Sequence, residues 1–354
     1  MNNDPSKTTM AATDGPPALE VPARAVPAPM SVSRQARAFL TPPQIATPEY
    51  PPPHDHAAWR RLAAAGEEAI VRHTARMNVE GVEVDHHRVE QAGVFVITPP
   101  DVRRDDARIY LEIHGGALYT GGGQACRATG IFTAKRVRMR TWAVDYRMPP
   151  DHPYPAALDD CVAVYRDLLK EHDPHEIVVG GASAGANLAA ALILRARDEG
   201  LPLPAAAILL TPELDLTESG DSFRTNLGLD TVLTRGLMPA NLLYADGRDL
   251  ADPYLSPLFG DLSTGFPPTL LAAGTRDLFL SNAVRMHRAL RAAGNPAQLH
   301  VFEAAPHGLM APGTPEDEDL KQEIRRFIDA TCPEPGARPS GPTTGTRCAS
   351  TPGA

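Results

Sequence analysis

At Ile177-Val-Val-Gly-Gly-Ala-Ser183-Ala-Gly-Ala-Asn-Leu-Ala189 the sequence passes from a β-branched run, through glycines that flank a serine, into an alanine- and leucine-rich run. The first run predicts a strand and the second predicts a helix. The central Gly-Ala-Ser-Ala-Gly matches G-x-S-x-G, in which small residues let the strand and the helix approach closely. We therefore predict a nucleophile elbow that exposes the Ser183 hydroxyl. A structural glycine turn is the alternative, because short matches arise by chance.

The composition favours small-molecule chemistry. The chain has 354 residues, enough for one large α/β domain, and its formal net charge is −9. This charge provides no basic surface for nucleic acid and no cluster of Lys and Arg for an anionic membrane. No run of about 18 apolar residues could span a bilayer, and residues 1–15 lack a secretory signal. We expect a soluble, cytoplasmic protein without stable membrane insertion.

The four cysteines are not arranged as a recognisable metal or disulfide motif. They are Cys126, Cys161, Cys332 and Cys348, and none of them forms a Cys-x-x-Cys pair. This spacing argues against a zinc site and against a dense disulfide framework. We expect free thiols.

The ends of the chain differ in composition from its centre. Residues 1–53 are rich in Pro, Ala, Ser and Thr, and residues 332–354 are rich in Pro, Gly, Thr and Ser. Such segments have few apolar side chains to bury, so we predict a disordered N-terminal segment and a disordered C-terminal tail. The folded domain then covers residues 54–331.

Strand and helix patterns alternate along this domain. A helix is predicted at 57–77, followed by strands at 82–89 and 94–98 that form an antiparallel hairpin at a sheet edge. Further strands are predicted at 108–113, 141–145, 205–210, 269–273 and 298–302, with helices at 128–139, 156–170 and 281–293. Strands separated by helices imply an α/β fold with a mostly parallel sheet and helices on both faces.

Two later residues could activate the serine. A serine hydroxyl needs a base to remove its proton and an acid to orient that base. Asp277 directly follows a predicted strand, and His307 lies in a loop after the last strand, in the chain order Ser, Asp, His of an α/β-hydrolase triad. Asp277 as a helix cap and His307 as an exposed loop residue are the alternatives.

A glycine turn upstream could stabilise a negatively charged oxygen. His114-Gly115-Gly116-Ala117 ends a predicted strand, where part of an oxyanion hole is expected. We assign the hole to this turn and to Ala184, with the backbone N–H groups of Gly116, Ala117 and Ala184 as donors. A purely structural turn is the alternative, and His114 itself fits a structural role better than a catalytic one.

Several motifs in order resemble the hormone-sensitive-lipase-like branch of the α/β-hydrolases, which includes bacterial carboxylesterases. Besides HGGA, GASAG and the final APHG, they are DYRMPPDHPYPAALDD at 145–160, DPYLSPL from 252 and FPPTLLAAGTRD at 266–277. The resemblance covers about 108–329. It implies ester hydrolysis without a metal or organic cofactor, with the triad at Ser183, Asp277 and His307. It also implies a lid formed by 57–77 and 213–248, the latter with one or two helices near 234–244.

The chain departs from that family at two positions. Ala117 replaces the last glycine of the common HGGG turn, and Ala182 replaces the acid of the common GDSAG elbow. Neither change removes a triad side chain, but Ala117 should narrow the acyl side of the pocket. The HGGALY wording also resembles relatives that open lactone rings.

Together these features predict a serine carboxylester hydrolase that acts on a small-molecule ester, of short to medium acyl length or cyclic. A non-catalytic ligand-binding protein on the same fold and an amidase are the alternatives. The sequence leaves the oligomeric state open, a homo-oligomer included.

Overall fold

The computed structural model describes residues 19–40, 49–75 and 77–334. Within these residues, eight strands form one sheet in the order β1-β2-β4-β3-β5-β6-β7-β8. The strands are β1 (Glu83–Val89), β2 (Ala92–Thr98), β3 (Ile109–Ile113), β4 (Arg140–Asp145), β5 (Ile177–Ala182), β6 (Ala206–Leu210), β7 (Thr269–Gly274) and β8 (Ala297–Phe302). β2 runs antiparallel to both of its neighbours, and the remaining strands are parallel. The predicted α/β fold is confirmed.

The first two strands form the predicted hairpin at the sheet edge. Glu83 pairs with Thr98, and Val89 pairs with Ala92 at the turn. The turn therefore lies at Glu90-Gln91, and Glu90 has a φ of 52°. The predicted turn at 91–93 was placed slightly late, because Gly93 lies in the ladder opposite Asp145.

Helices cover both faces of the sheet. They are α1 (Arg34–Phe39), α2 (His56–Thr74), α3 (Gln124–Val137), α4 (Ala156–Leu168), α5 (Ala184–Asp198), α6 (Ser222–Thr225), α7 (Met238–Ala245), α8 (Leu280–Ala292) and α9 (Pro315–Thr331). Alternate residues of a strand point to opposite faces. Accordingly, Ile109 and Leu111 pack in a core with α4, α5 and α8, whereas Tyr110 packs in a second core with α1 and α9.

Helix α9 is absent from the sequence-based prediction. Thr314 caps it by accepting a hydrogen bond from the Asp317 N–H, and Pro315 occupies its first turn. Its buried residues recur at helical spacing: Asp317, Leu320, Ile324, Phe327 and Ile328. This apolar face covers the second side of the sheet, which would otherwise be exposed to water.

The N-terminal segment is partly ordered. Val32, Ala36 and Leu40 are buried in the second core, and the backbone N–H and the hydroxyl of Ser33 both donate to Glu316. The prediction of disorder across 1–53 is therefore wrong for this part. Residues 1–18 and 41–48 lie outside the described residues.

The C-terminal boundary also needs a small correction. Cys332 is buried, and its carbonyl accepts a hydrogen bond from Arg108, so the fold extends past the predicted limit at 331. The predicted tail from 335 onward lies outside the described residues. Of the cysteines, Cys126, Cys161 and Cys332 are free and buried, whereas Cys348 is outside the described ranges. No helix in the part of the chain that the structure describes is long and apolar enough to cross a membrane.

Candidate active site

Ser183 lies on a sharp turn between β5 and α5. Its backbone has φ 58° and ψ −123°, a conformation that few non-glycine residues adopt. The two glycines of the motif make this turn possible. A Cβ at Gly185 would lie 1.9 Å from the carbonyl oxygen of Ile113, and one at Gly181 would lie 2.4 Å from the same oxygen. Strand, turn and helix have the geometry expected of a nucleophile elbow.

Asp277 and His307 lie beyond the carboxyl ends of β7 and β8. The Nδ1 atom of His307 is 3.1 Å from Oδ1 of Asp277. The Asp277 side chain is fully buried, and His307 is 8% exposed. The structure therefore joins the predicted acid to the predicted base. The alternative of an exposed loop histidine disagrees with this burial. The alternative of a helix cap stays open, because Oδ1 of Asp277 also accepts from the N–H of Phe279 at 2.9 Å, directly before α8.

Ser183 shares this edge of the sheet but is not hydrogen-bonded to the pair. Its side chain is half-buried, and its Oγ makes no hydrogen bond with another described residue. Its carbonyl oxygen accepts from the N–H of Glu213, which follows β6. Since β6 lies between β5 and β7, this contact ties the elbow to the loops that carry the acid and the base. Serine–histidine contacts often tighten only when substrate binds.

The environment of His307 changes its basicity. Burial alone lowers the pKa of an imidazole, but the charge and hydrogen bond of Asp277, with smaller contributions from Asp230 and Glu213, oppose that effect. The net result is a pKa of His307 above its ordinary value. The imidazole is thereby a stronger proton acceptor than a free histidine.

Asp230 holds the loops around the pair, and the sequence did not reveal it. Its carboxylate accepts from the N–H groups of Val232 and Leu233 at 2.9 and 3.0 Å, of Leu278 at 3.0 Å and of His307 at 3.3 Å. The bonds to Val232 and Leu233 form an Asx turn, a local motif that an Asp in a loop can indicate in the sequence. The bonds to Leu278 and His307 are long-range, so they could not be read from the sequence.

Glu213 is a second residue that sequence reasoning missed. Its side chain is fully buried, and neither carboxyl oxygen makes a hydrogen bond within the described residues. Burial raises the pKa of Glu213 to about 8, against the opposing influence of Asn241 and His307. A protonated carboxyl group therefore lies beneath the elbow at neutral pH.

The predicted oxyanion turn has an unusual backbone. Gly116, Ala117 and Leu118 have φ values of 128°, 50° and 64°. Gly115 packs against the elbow, because a Cβ there would lie 2.8 Å from the Ala182 carbonyl oxygen and 3.4 Å from Ser183 Cβ. Among the described residues, the N–H groups of Gly116 and Ala117 donate to no acceptor. That of Ala184 is in the first turn of α5, where N–H groups have no intrahelical partner.

His114 supports this turn from below. Its Nδ1 contacts the Gly115 carbonyl oxygen at 2.8 Å, and its ring stacks on Tyr146 at a centroid distance of 4.1 Å. The Tyr146 hydroxyl donates to the His114 carbonyl at 2.8 Å. These contacts fit the structural role expected for His114. Its other neighbours, Cys126 and Asp145, carry atoms that could hold a metal ion.

Apolar side chains lie beside the turn. Trp59 of α2 packs with Ala240 and Leu243 of α7, and Ala117 and Tyr119 lie at the edge of this cluster. A second cluster, of Phe223, Leu237, Leu278 and Phe279, also contacts Ala117. The Phe279 ring is 4.8 Å from that of His307. The two predicted lid segments therefore reach the candidate site, although Leu242 is exposed and Tyr244 packs in the main core instead.

Comparisons with known proteins identify the family of the chain. A family model described as "alpha/beta hydrolase fold" matches residues 110–311. An acetyl-hydrolase of Streptomyces hygroscopicus is 35% identical over 240 residues, which are 63% of this chain and 80% of that protein.

Solved structures are similar over a longer range. The crystal structure of esterase E25 is 37% identical with a TM-score of 0.82, covering 88% of this chain and 98% of that one. An esterase from the bacterial hormone-sensitive lipase family is 30% identical with a TM-score of 0.69, covering 81% and 94% of the two chains.

Proposed function

As a member of the α/β-hydrolase family that is similar to its hormone-sensitive-lipase branch, the chain is a carboxylester hydrolase, and we propose that it cleaves short-to-medium acyl esters through an acyl-enzyme on Ser183. The observation that carries this proposal is the buried His307–Asp277 pair beside the Ser183 elbow. An acid, a base and a nucleophile at the same edge of a parallel sheet are the parts that acyl transfer requires.

In the first step, Nε2 of His307 takes the proton of Ser183 Oγ while the oxygen attacks the ester carbonyl carbon. Because Nδ1 of His307 donates to Asp277, the lone pair of the imidazole is on Nε2. The carbonyl π electrons move to oxygen, and the N–H groups of Gly116, Ala117 and Ala184 stabilise the resulting oxyanion.

In the second step, the oxyanion collapses and the bond to the alcohol oxygen breaks. His307 gives its proton to that oxygen, which leaves the acyl group on Ser183. A water molecule then attacks the acyl-enzyme by the same two steps, with His307 as the base, and the carboxylic acid is released from Ser183. With a lactone the same steps apply, but the alcohol stays attached and the product is a hydroxy acid.

The apolar surroundings favour small acyl groups. The clusters around Trp59 and Phe279 both contact Ala117, whose methyl group lies beside the proposed oxyanion site. Each further methylene adds only about 0.8 kcal/mol of burial, and it adds nothing once the pocket is full. We infer an apolar pocket of limited length, roofed by α2 and α7.

Kinetics on purified protein test this proposal. We expect hydrolysis of p-nitrophenyl acetate and butyrate by the unaltered chain, and loss of at least about 10³-fold in kcat for Ser183→Ala with an unchanged circular dichroism spectrum. A fluorophosphonate should label Ser183, as located by peptide mass spectrometry. Tight ligand binding without turnover would identify a binding protein instead, and faster cleavage of anilides than of esters would identify an amidase.

A further inference from the structure

Three side chains from different elements converge beneath the oxyanion turn. His114 directly follows β3, Cys126 lies in the first turn of α3, and Asp145 ends β4. Their ligating atoms all lie within 4.8 Å of one another. This is the one such cluster found among the described residues. Because the three residues are far apart in sequence, a search for Cys-x-x-Cys spacing could not detect it.

The imidazole of His114 has a free nitrogen in this cluster. Nδ1 faces the Gly115 carbonyl, which can only accept, so Nδ1 carries the proton and Nε2 carries the lone pair. The side chain is 1% exposed, and Nε2 has no hydrogen-bond partner in the described structure. A buried polar atom without a partner is unusual in a native fold. A metal ion would satisfy it.

We propose that His114 Nε2, Cys126 Sγ and the Asp145 carboxylate form a binding site for Zn²⁺. Thiolate, imidazole and carboxylate are all zinc ligands, whereas Mg²⁺ and Ca²⁺ prefer oxygen alone. On binding, the Cys126 S–H bond breaks, its proton passes to solvent and the sulfur pair forms the bond to zinc. One thiolate, one carboxylate and one neutral imidazole then balance the charge of the ion.

A cavity lies beside this site. A cavity of about 470 Å³ lies between α2 and α3, lined by Glu67, Gly122 and Gly123 among others. The N–H of Gly123, which lines this cavity, donates to Asp145 at 2.9 Å, so the cavity wall contacts one of the proposed ligands. A water molecule entering from this side would complete four-coordination.

Zinc should restrain the oxyanion turn, a consequence that rests on the proposed esterase activity. Tetrahedral zinc holds its ligand atoms roughly 3.3–3.8 Å apart, so atoms up to 4.8 Å apart would approach one another by up to about 1.5 Å. His114 directly precedes Gly115 and contacts its carbonyl, so movement of the ring shifts the turn. We therefore infer that Zn²⁺ inhibits ester hydrolysis.

Calorimetry on the reduced, chelator-treated full chain tests binding without reference to activity. We expect one Zn²⁺ per chain, with close to one proton released, as shown by titration in buffers of different ionisation enthalpy. Co²⁺ should give a thiolate-to-metal charge-transfer band. Cys126→Ser and Asp145→Asn should each weaken Zn²⁺ binding by at least about tenfold. Cys161→Ser is the matched control, because Cys161 is equally buried but lies outside the cluster.

The possible outcomes distinguish Zn²⁺ binding from inhibition of ester hydrolysis by Zn²⁺. No stoichiometric Zn²⁺ binding, no thiolate band, or equal affinity of Cys126→Ser and the unaltered chain would overturn the proposal. If Cys126→Ser does not fold, the Co²⁺ spectrum of the unaltered chain and the Zn²⁺ affinity of Glu67→Gln, a variant in the lining of the cavity, test the proposal instead. Inhibition is measured as the ratio of rates with and without Zn²⁺ for each variant. Zn²⁺ binding without inhibition would support the metal site but contradict the inference that zinc restrains the oxyanion turn.

Discussion

Nδ1 of His307 and Oδ1 of Asp277 are 3.1 Å apart in a buried environment, and the backbone N–H of the same histidine contacts Asp230 at 3.3 Å. The histidine is thus held at two points by two acids. Of these two acids, Asp277 contacts the imidazole ring. Asp230 instead holds the loop that carries it, so the two carboxylates should have separable effects.

Asp277→Asn should change both the rate and its pH dependence. The pKa of His307 is raised, with burial opposed chiefly by the charge of Asp277, and only the neutral imidazole can accept the serine proton. Activity therefore falls as pH decreases through that raised pKa. Without the charge of Asp277 the pKa of His307 drops, so the acid limb of kcat/KM should move to lower pH. The rate itself should fall by about 10⁴-fold.

The control for this change is Asp319→Asn, which removes an exposed acid from α9. It should leave the acid limb in place. An acid limb that stays in place in Asp277→Asn, with the protein folded, would show that Asp277 does not face the catalytic base.

Asp230→Asn should lower activity by changing the position of the loop that carries His307. The amide oxygen of the variant can still accept from Val232 and Leu233, but its NH₂ group faces the N–H of Leu278. The N–H of His307, which is 3.3 Å from both oxygens of Asp230, loses one of its two acceptors. We expect kcat to fall by roughly 10- to 100-fold with little change in KM, since a misplacement of about 1 Å has effects of this size. The acid limb should move less than in Asp277→Asn, because Asp230 makes the smaller contribution to the pKa of His307. A large rise in KM with unchanged kcat would contradict this role.

Glu213→Gln should remove a pH-dependent loss of stability. Burial raises the pKa of Glu213 to about 8, so the folded state binds a proton that the unfolded state has released above its ordinary value of 4.5. The contribution of Glu213 to stability therefore falls as pH rises from 4.5 to about 8. Relative to it, the variant should gain stability over that range, as measured by urea unfolding at a series of pH values.

Glu112→Gln provides a matched comparison, because burial also raises the pKa of Glu112 to about 8. Both variants should show the same trend in stability. Only Glu213→Gln should alter kcat, and it should do so above about pH 8, where the ionised Glu213 carboxylate raises the pKa of His307. Equal kcat for all three proteins would place Glu213 outside the catalytic machinery.

Gly185→Ala should destabilise the whole fold. The new methyl group would lie 1.9 Å from the Ile113 carbonyl oxygen, between backbone segments that cannot move apart without separating α5 from the sheet. We expect the free energy of unfolding to decrease by at least about 3 kcal/mol. Gly200→Ala is the control: its φ is 71° and a Cβ there meets nothing within 4 Å, so only backbone strain of about 1–2 kcal/mol applies. Similar losses in both variants would contradict the close approach at the elbow.

The sequence predicted the sheet because its signals are local. β5 and α5 are marked by the change in pattern at Ser183, and the hairpin by two β-branched runs. Helix α9 was also readable, from the cap at Thr314 and the spacing of Leu320, Ile324 and Phe327, but the prediction did not include it. The sequence therefore contained the information needed to predict this helix.

The site was predictable only in part. The chain order of serine, acid and base indicated the three residues, and strand ends placed Asp277 and His307 together. Asp230 and Glu213 were missed because their roles come from contacts across the fold, where sequence spacing carries no signal. The convergence of His114, Cys126 and Asp145 was hidden for the same reason.

Ala117→Gly should widen the acyl preference. Ala117 has a φ of 50°, and its methyl group touches the clusters around both Trp59 and Phe279. For the unaltered chain we expect kcat/KM to be highest at acyl chains of about two to six carbons, because methylenes beyond the end of the pocket add no burial. Removing the methyl group should move the optimum toward bulkier acyl groups, as measured with a chain-length series of p-nitrophenyl esters. Arg138, at the exposed end of α3, has a similar φ of 55°. Arg138→Gly therefore controls for the relief of backbone strain, and it should leave the preferred acyl length unchanged. An optimum at roughly ten carbons or more in the unaltered chain would contradict a pocket of limited length.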